Sequence, residues 1–211
     1  MSQEFFYENN QEFFYENNQE ILKDNNLINE IKEFQNNYYS VNKKNFFFKK
    51  KQKLDCANNI CDNFSLQDLI NKTIYIIPDT NIIFMDYVIF KIFANSNNYQ
   101  FIVDYVILLI EDRINIYNTF EIHVNLDSFT ISSLERYKSI INIFIDNCLK
   151  KNSGYTFMIN KVNILNSPKS FDTIISSAKH FFNKDVYQKI VVCNEEDSKN
   201  KLEYYYNIRD Q

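Results

Sequence analysis

The stretch from Met158 to Val192 constrains the fold more than any other part of the chain. Phe157, Met158, Ile159, Val162, Ile164 and Leu165 make a β-rich apolar run that stops at Asn166-Ser167-Pro168. Proline cannot donate to a sheet but suits the first turn of a helix, so a strand ends there and a helix begins. From Pro168 the apolar positions Phe171, Ile174, Ile175, Ala178, Phe181 and Phe182 recur as i, i+3, i+4, i+7, the spacing of one buried helix face. Asn183-Lys184-Asp185 interrupts that pattern, and Ile190-Val191-Val192 reads as a second strand. Strand, helix of about four turns and strand form a βαβ unit, whose crossover requires parallel pairing.

A second unit precedes it. Glu121 to Leu126, with β-branched Ile122 and Val124, predicts a strand, and Thr130 caps a long helix to about Lys151 with a buried stripe of Leu134, Tyr137, Ile141, Phe144, Ile145 and Cys148. Gly154, the sole glycine, lies just past that helix, where a left-handed residue commonly ends one. Strands at 121–126, 157–165 and 189–193 predict an α/β domain with a mixed, mainly parallel β-sheet, flanking helices and right-handed crossovers. Ile122, Val124, Ile164 and Val191 are its expected buried neighbours. Upstream, Tyr99 to Tyr117 predicts a helix, and Thr73 to Ile77 a short strand ended by Pro78. The apolar run at 81–93 fits either a strand pair or a buried helix. A short helix is expected over 65–70, where Ser65 with Asp68 three residues on resembles a capping box.

The first 60 residues have a different character. Residues 3–18 repeat QEFFYENN twice, a period too short for a solenoid unit, and 19–36 predict one amphipathic helix. Residues 43–53, KKNFFFKKKQK, surround three phenylalanines with six lysines. That mixture either forms a solvated linker or draws a peripheral protein to anionic lipid headgroups. We place the domain boundary near residue 60, giving 1–60 as an N-terminal segment and 61–211 as the folded body.

Composition excludes several classes. A net charge of −4 argues against a general nucleic-acid binder. Four cysteines and two histidines complete no zinc pattern, so free thiols in a reducing compartment are expected. The N-terminus lacks the basic and apolar regions of a signal peptide, and no run reaches the ~18 apolar residues of a membrane span. A cytoplasmic protein, with peripheral membrane contact as its one link to a bilayer, is the expectation. One glycine cannot build a phosphate-cradling loop, and no H-E-x-x-H or G-x-S-x-G occurs. His123 within a strand and His180 on a helix read as structural, and Asp127 alone is weak evidence of acid-base chemistry. The expectation is a non-enzymatic domain with no catalytic residue, metal or cofactor.

The pivotal stretch also resembles the C-terminal half of a CRAL-TRIO lipid-binding domain. That family's Asn-Ala-Pro after a strand, its Lys-Pro-Phe-Leu-Asp after the next helix and its Lys-Ile beyond are echoed by Asn166-Ser167-Pro168, Lys179-His180-Phe181-Phe182-Asn183 and Lys189-Ile190. Asn125-Leu126-Asp127-Ser128-Phe129-Thr130 is similar to its Asp-Leu-x-Gly-Phe-Ser. Asn125, Ser128 and His180 depart from the usual Asp, Gly and Pro. The resemblance covers roughly residues 72–193, short for the family, and so implies a reduced cavity. It implies that the helix carrying Phe171, Ile174, Ile175, Ala178, Phe181 and Phe182 is the mobile gate over a lipid cavity. It further implies that Lys189 contacts a headgroup phosphate, with Asp146 as the assisting carboxylate.

Two functions follow as alternatives. The first is binding, and transfer, of a hydrophobic small molecule or phospholipid. The second is a protein-interaction module whose cavity is filled by its own side chains. A cavity of several hundred Å3 favours the first and a solid core the second.

Overall fold

A computed structural model describes residues 26–42, 48–148, 154–178 and 184–210. The repeats at 3–18, the phenylalanine triplet at 46–48 apart from Phe48, and Phe181, Phe182 and His180 lie outside those residues or at their edge. Helices α1 (Leu27–Val41), α2 (Lys49–Asn63) and α3 (Leu66–Asn71) lead into strands β1 (Ile74–Ile76) and β2 (Ile82–Asp86). Then come α4 (Tyr87–Phe93), α5 (Tyr99–Tyr117), β3 (Phe120–Asn125), α6 (Ile131–Arg136) and α7 (Lys138–Cys148). The chain closes with α8 (Tyr155–Met158), β4 (Ile159–Leu165), α9 (Phe171–Ala178), α10 (Lys184–Gln188), β5 (Ile190–Val192) and α11 (Glu195–Arg209).

The five strands lie in the order β1-β2-β3-β4-β5, with β1 antiparallel to β2 and every other pair parallel. This is the expected mixed, mainly parallel sheet. Register sets Ile122 beside Val162 and Val124 beside Ile164. Because side chains alternate across a pleated sheet, Ile122, Val124, Val162 and Ile164 share one face, while His123, Asn125, Asn163 and Leu165 share the other.

Local chemistry explains several boundaries. The ambiguous run at 81–93 resolves into a strand followed by a helix, because the Asp86 side chain accepts the N–H of Val88 at 3.0 Å and caps α4. Ser65 accepts from Asp68 N as the capping pattern predicted. Thr130 caps α6, but the long helix expected from it breaks at Tyr137. That ring is buried against Tyr87, Phe90 and Tyr99, and its hydroxyl donates to Lys91 O at 3.3 Å, so the backbone is held where the two helices meet.

Three expectations around the pivotal stretch need correction. Phe157 and Met158 belong to the single turn α8, not to the strand: Gly154 at φ 75° starts that turn, and Phe157 is left 84% exposed. Lys184 and Asp185 open a helical turn instead of a break, because burying Val186 holds α10 in place. Val191 is 38% exposed: it lies on an edge strand and pairs with Asn163, so it sits on the His123 face and not beside Ile122, Val124 and Ile164.

The main core joins α5, α7 and the helices before β1 in one apolar cluster, with α2 packed on α4, and it includes Ile31, Cys56 and Ile60 together with Leu69, Phe93, Ile102 and Phe120. The His123 face of the sheet is covered by α11, for which the sequence analysis made no prediction. Leu202 and Tyr205 join Ile77, Phe84 and Leu165 in a second apolar cluster there. Around it, Lys72 Nζ donates to Arg209 O at 3.0 Å and the Tyr75 hydroxyl to Tyr205 O at 3.0 Å. Asn125 Nδ2 donates to the Tyr206 hydroxyl at 2.9 Å. Among the described residues no helix is long and apolar enough to cross a membrane.

Candidate functional site

The apolar face of the sheet does not pack solidly. Between it and α5, α7 and α9 lies a cavity of about 310 Å3. Its floor is Ile83 and Met85 of β2, Ile122 and Val124 of β3, and Val162 and Ile164 of β4. The alternation of each parallel strand aims these side chains inward. Ile102, Val106 and Ile110 from α5 and Ile140, Phe144 and Ile145 from α7 form the walls. Each set follows the helical spacing that put it on one face.

The gate is α9. Phe171, Ile174 and Ile175 line the cavity, and Ile174 packs against Leu134 of α6 with Phe129 and Ile141 alongside. Asp172, Thr173 and Ser176 face outward, so the amphipathic reading of this helix holds over the described residues. Ala178 ends α9, while Phe181 and Phe182 lie outside the described residues.

The polar groups near the wall are occupied. The hydroxyl of Tyr137 is bound to Lys91 O, and that of Tyr87 is hydrogen-bonded to Ser133. Burial pushes the Cys148 thiol up to about 12, so it is neutral. No residue lining the cavity carries a charged or amide side chain among the described residues.

The two residues expected at a headgroup stand apart from this lining. Lys189 is half-buried, and its Nζ donates to Thr156 O at 3.1 Å and Ile159 O at 2.6 Å, bracing the turn α8. It adjoins Ile190, which does line the cavity. Asp146 is exposed on α7. No described group of three or more His, Cys, Asp or Glu side chains is arranged to hold a metal.

The far face holds what sequence reasoning missed. His123 is 2% exposed, with Nδ1 2.6 Å from the Tyr205 hydroxyl, and Nε2 2.6 Å from Asn163 Nδ2 and 3.2 Å from Glu121 Oε2. Burial lowers its pKa, while the hydrogen bond and charge of Glu121 act the other way. The signal for α11 was present in Asn194, whose side chain accepts Asp197 N at 2.8 Å, and in the acidic run Glu195-Glu196-Asp197 that suits a helix N-terminus. Its buried residues are Ser198, Leu202 and Tyr205, of which only leucine is aliphatic, so apolar periodicity alone did not mark it.

A match to the model of the CRAL/TRIO domain spans residues 82–210, taking in β2 through α11. The chain belongs to the CRAL/TRIO family. Family members bind and transfer lipids and are generally not enzymes. Among solved structures the CRAL/TRIO chain is similar to one titled "Crystal structure of Sfh5", with 15% identity and a TM-score of 0.46. That alignment covers 69% of this chain and 56% of the other, so the chain spans little more than half of that protein. No curated protein matches.

Proposed function

We propose that this CRAL/TRIO chain holds a lipid in the cavity beneath α9 and carries it between membranes without chemical change. The observation that supports this reading is the cavity itself: about 310 Å3 of space walled by apolar side chains. A folded core normally packs to crystal-like density, and voids larger than a water molecule are few. Space of this size is of the order used for ligands. It also favours the lipid reading over an interaction module with a self-filled core.

The energetics are those of hydrocarbon burial, at roughly 0.8 kcal/mol per methylene removed from water. In this proposal Phe171, Ile174 and Ile175 touch the lipid chain, and Ala178, Phe181 and Phe182 belong to the same gate. Lys189, at the rim beside Ile190, meets a headgroup phosphate through the N–H it does not spend on Thr156 and Ile159, and Asp146 is the assisting carboxylate. The basic, phenylalanine-rich segment 43–53 supplies contact with anionic membrane surfaces.

Native mass spectrometry of the purified protein tests the reading, alongside the variant Val124→Phe. Wild type is expected to carry a lipid adduct. The variant, whose larger side chain enters empty space and not a packed core, should fold and carry much less. A wild-type protein that carries no lipid and takes none up from vesicles would sink the proposal and leave the interaction module.

A further inference from the structure

We infer that Arg136 and Lys91 form a binding site for a phosphate group, distinct from the lipid cavity but built on two of its lining rings, Tyr87 and Tyr137. The inference goes beyond the lipid reading and stands or falls apart from it.

The fold sets the place. Strands β2 to β5 run parallel. Tyr87 follows the last residue of β2, Ser128 lies in the loop after β3, and Arg136 ends the helix that this loop leads into. The cluster therefore stands at the carboxyl ends of the strands, where open α/β sheets place their ligands. Lys189, bonded to Ile159 O at the start of β4, stands at the amino ends.

Two rings hold the cations together. Tyr87 and Tyr137 meet edge to face with centroids 6.0 Å apart. Lys91 Nζ lies over the first ring, 5.7 Å from its centroid, and the Arg136 guanidinium over the second, at 5.0 Å. The Tyr137 hydroxyl donates to Lys91 O and so ties the backbone of one cation to the neighbour of the other. Aromatic faces attract such charges by only about 0.5–2 kcal/mol and do not cancel them.

Neither charge is neutralised by the described residues. Both side chains are half-buried, and neither forms an ion pair there. Lys91 Nζ uses one N–H on Ser128 Oγ, and the guanidinium of Arg136 makes no hydrogen bond to a described residue. The charge of Arg136 reaches Tyr39 of α1, Cys56 of α2, Tyr87, Tyr99 and Tyr137. Burial raises the pKa of all five, so they are neutral near pH 7 and none acts as a counter-ion. The chain carries a net charge of −4, so this local excess of positive charge is not part of a generally basic protein. Ser128 sits at φ 61°, where glycine is favoured, yet it carries a hydroxyl that meets Lys91. A compact anion with several acceptor oxygens fits these groups, since a guanidinium pairs with two oxygens at once and an ammonium acts as a point charge. A phosphate monoester has that chemistry, whether it is the headgroup of a bilayer lipid or a soluble compound.

The test titrates the full-length protein with glycerol 3-phosphate and with phosphatidylcholine vesicles that contain phosphatidic acid, following the Arg136 Nε–H resonance and measuring affinity by calorimetry. At least one probe should shift that resonance. A response to glycerol 3-phosphate identifies a soluble ligand as sufficient, and a response to the vesicles alone identifies the bilayer headgroup. Arg136→Gln should weaken the responding probe about tenfold, the loss of one charge-assisted pair, and Lys91→Gln several-fold. Arg136→Lys keeps the charge and should recover part of the affinity, while Lys199→Gln, a change of equal charge at an exposed position on α11, should leave it as in wild type. A resonance that neither probe moves overturns the inference. Folded Arg136→Lys that binds as weakly as Arg136→Gln overturns it too, because the residue then acts through its packing on Tyr137. An equal loss from Lys199→Gln does the same, because the attraction is then diffuse. Purified protein without a lipid adduct ends the lipid reading and leaves this site standing.

Discussion

Arg209 Nη1 lies 3.6 Å from Asp86 Oδ2, so the last helix is tied to the carboxyl end of β2, at the residue that also caps α4. Asp86 is 2% exposed. Burial raises its pKa, opposed by bonds from Val88 N–H, Tyr206 and Asn125 and by the charge of Arg209. The guanidinium also lies over the Tyr206 ring, 4.4 Å from its centroid. Removing one partner of a buried ion pair leaves the other charge uncompensated. Arg209→Leu should therefore cost about 3 kcal/mol in urea unfolding. Adding Asp86→Asn in that background should recover part of the loss, because the two residues are coupled. A double variant no more stable than Arg209→Leu would show that the pair does not act as one.

His123 predicts a dependence on pH. It faces Glu121 on its own strand, Asn163 of β4 and Tyr205 of α11, with Lys161 and Lys201 also acting on it. Its folded pKa lies below the usual 6.5, with burial as the largest cause. The unfolded chain therefore binds the proton more readily. Its contribution is present above about pH 6.5 and is lost as pH falls through the folded pKa. Urea midpoints should drop between pH 7.5 and 5, and His123→Asn should flatten that slope. A slope unchanged by the substitution would assign the pH dependence to other groups.

The parallel units from Glu121 to Val192 were legible because their cues are local: alternation at Ile122 and Val124, helical spacing at Phe171, Ile174 and Ile175, and Pro168 between them. What escaped depends on distant contacts. Phe157 looks like strand in sequence, but the backbone carbonyls around it are claimed by Lys189, thirty residues on. Tyr137 reads as one more residue of a continuous stripe, and it is its packing against Tyr87, Phe90 and Tyr99 that sits where the helix divides. The apolar face of α9 could be read at single-residue level, whereas the cavity could not, since empty space is a property of how elements distant in sequence meet.

The proposed boundary near residue 60 lies within α2, and Cys56, Ala57 and Ile60 of that helix are buried, as is Ile31 of α1. All five strands and every described residue lining the cavity belong to 61–211. The 61–211 fragment should thus keep its sheet and its lipid uptake, yet melt at a lower temperature because apolar surface once covered by α1 and α2 is exposed. Circular dichroism and vesicle uptake measure both. An insoluble or molten fragment would contradict the division into an N-terminal segment and an independent body.

Substitutions at the two ends of the proposed site should fail differently. Ile175 lines the cavity from α9 but is half-buried, so Ile175→Asp places a charge against the tail with less damage to the core than the same change at fully buried Ile174. It should abolish uptake of every lipid while the protein remains folded by circular dichroism. Lys189→Ala removes the cation proposed to meet the headgroup, and a charge-assisted contact to phosphate contributes more than a neutral hydrogen bond. Uptake of phosphorylated lipids should fall several-fold, with neutral lipids unaffected. Lys189 also braces Thr156 O and Ile159 O, and that second role makes a distinct prediction. If bracing is its whole contribution, Lys189→Ala lowers the uptake of charged and neutral lipids alike and lowers the melting temperature. Measuring both lipid classes on one preparation therefore decides whether the lysine reads the headgroup or only holds the turn beneath Phe157.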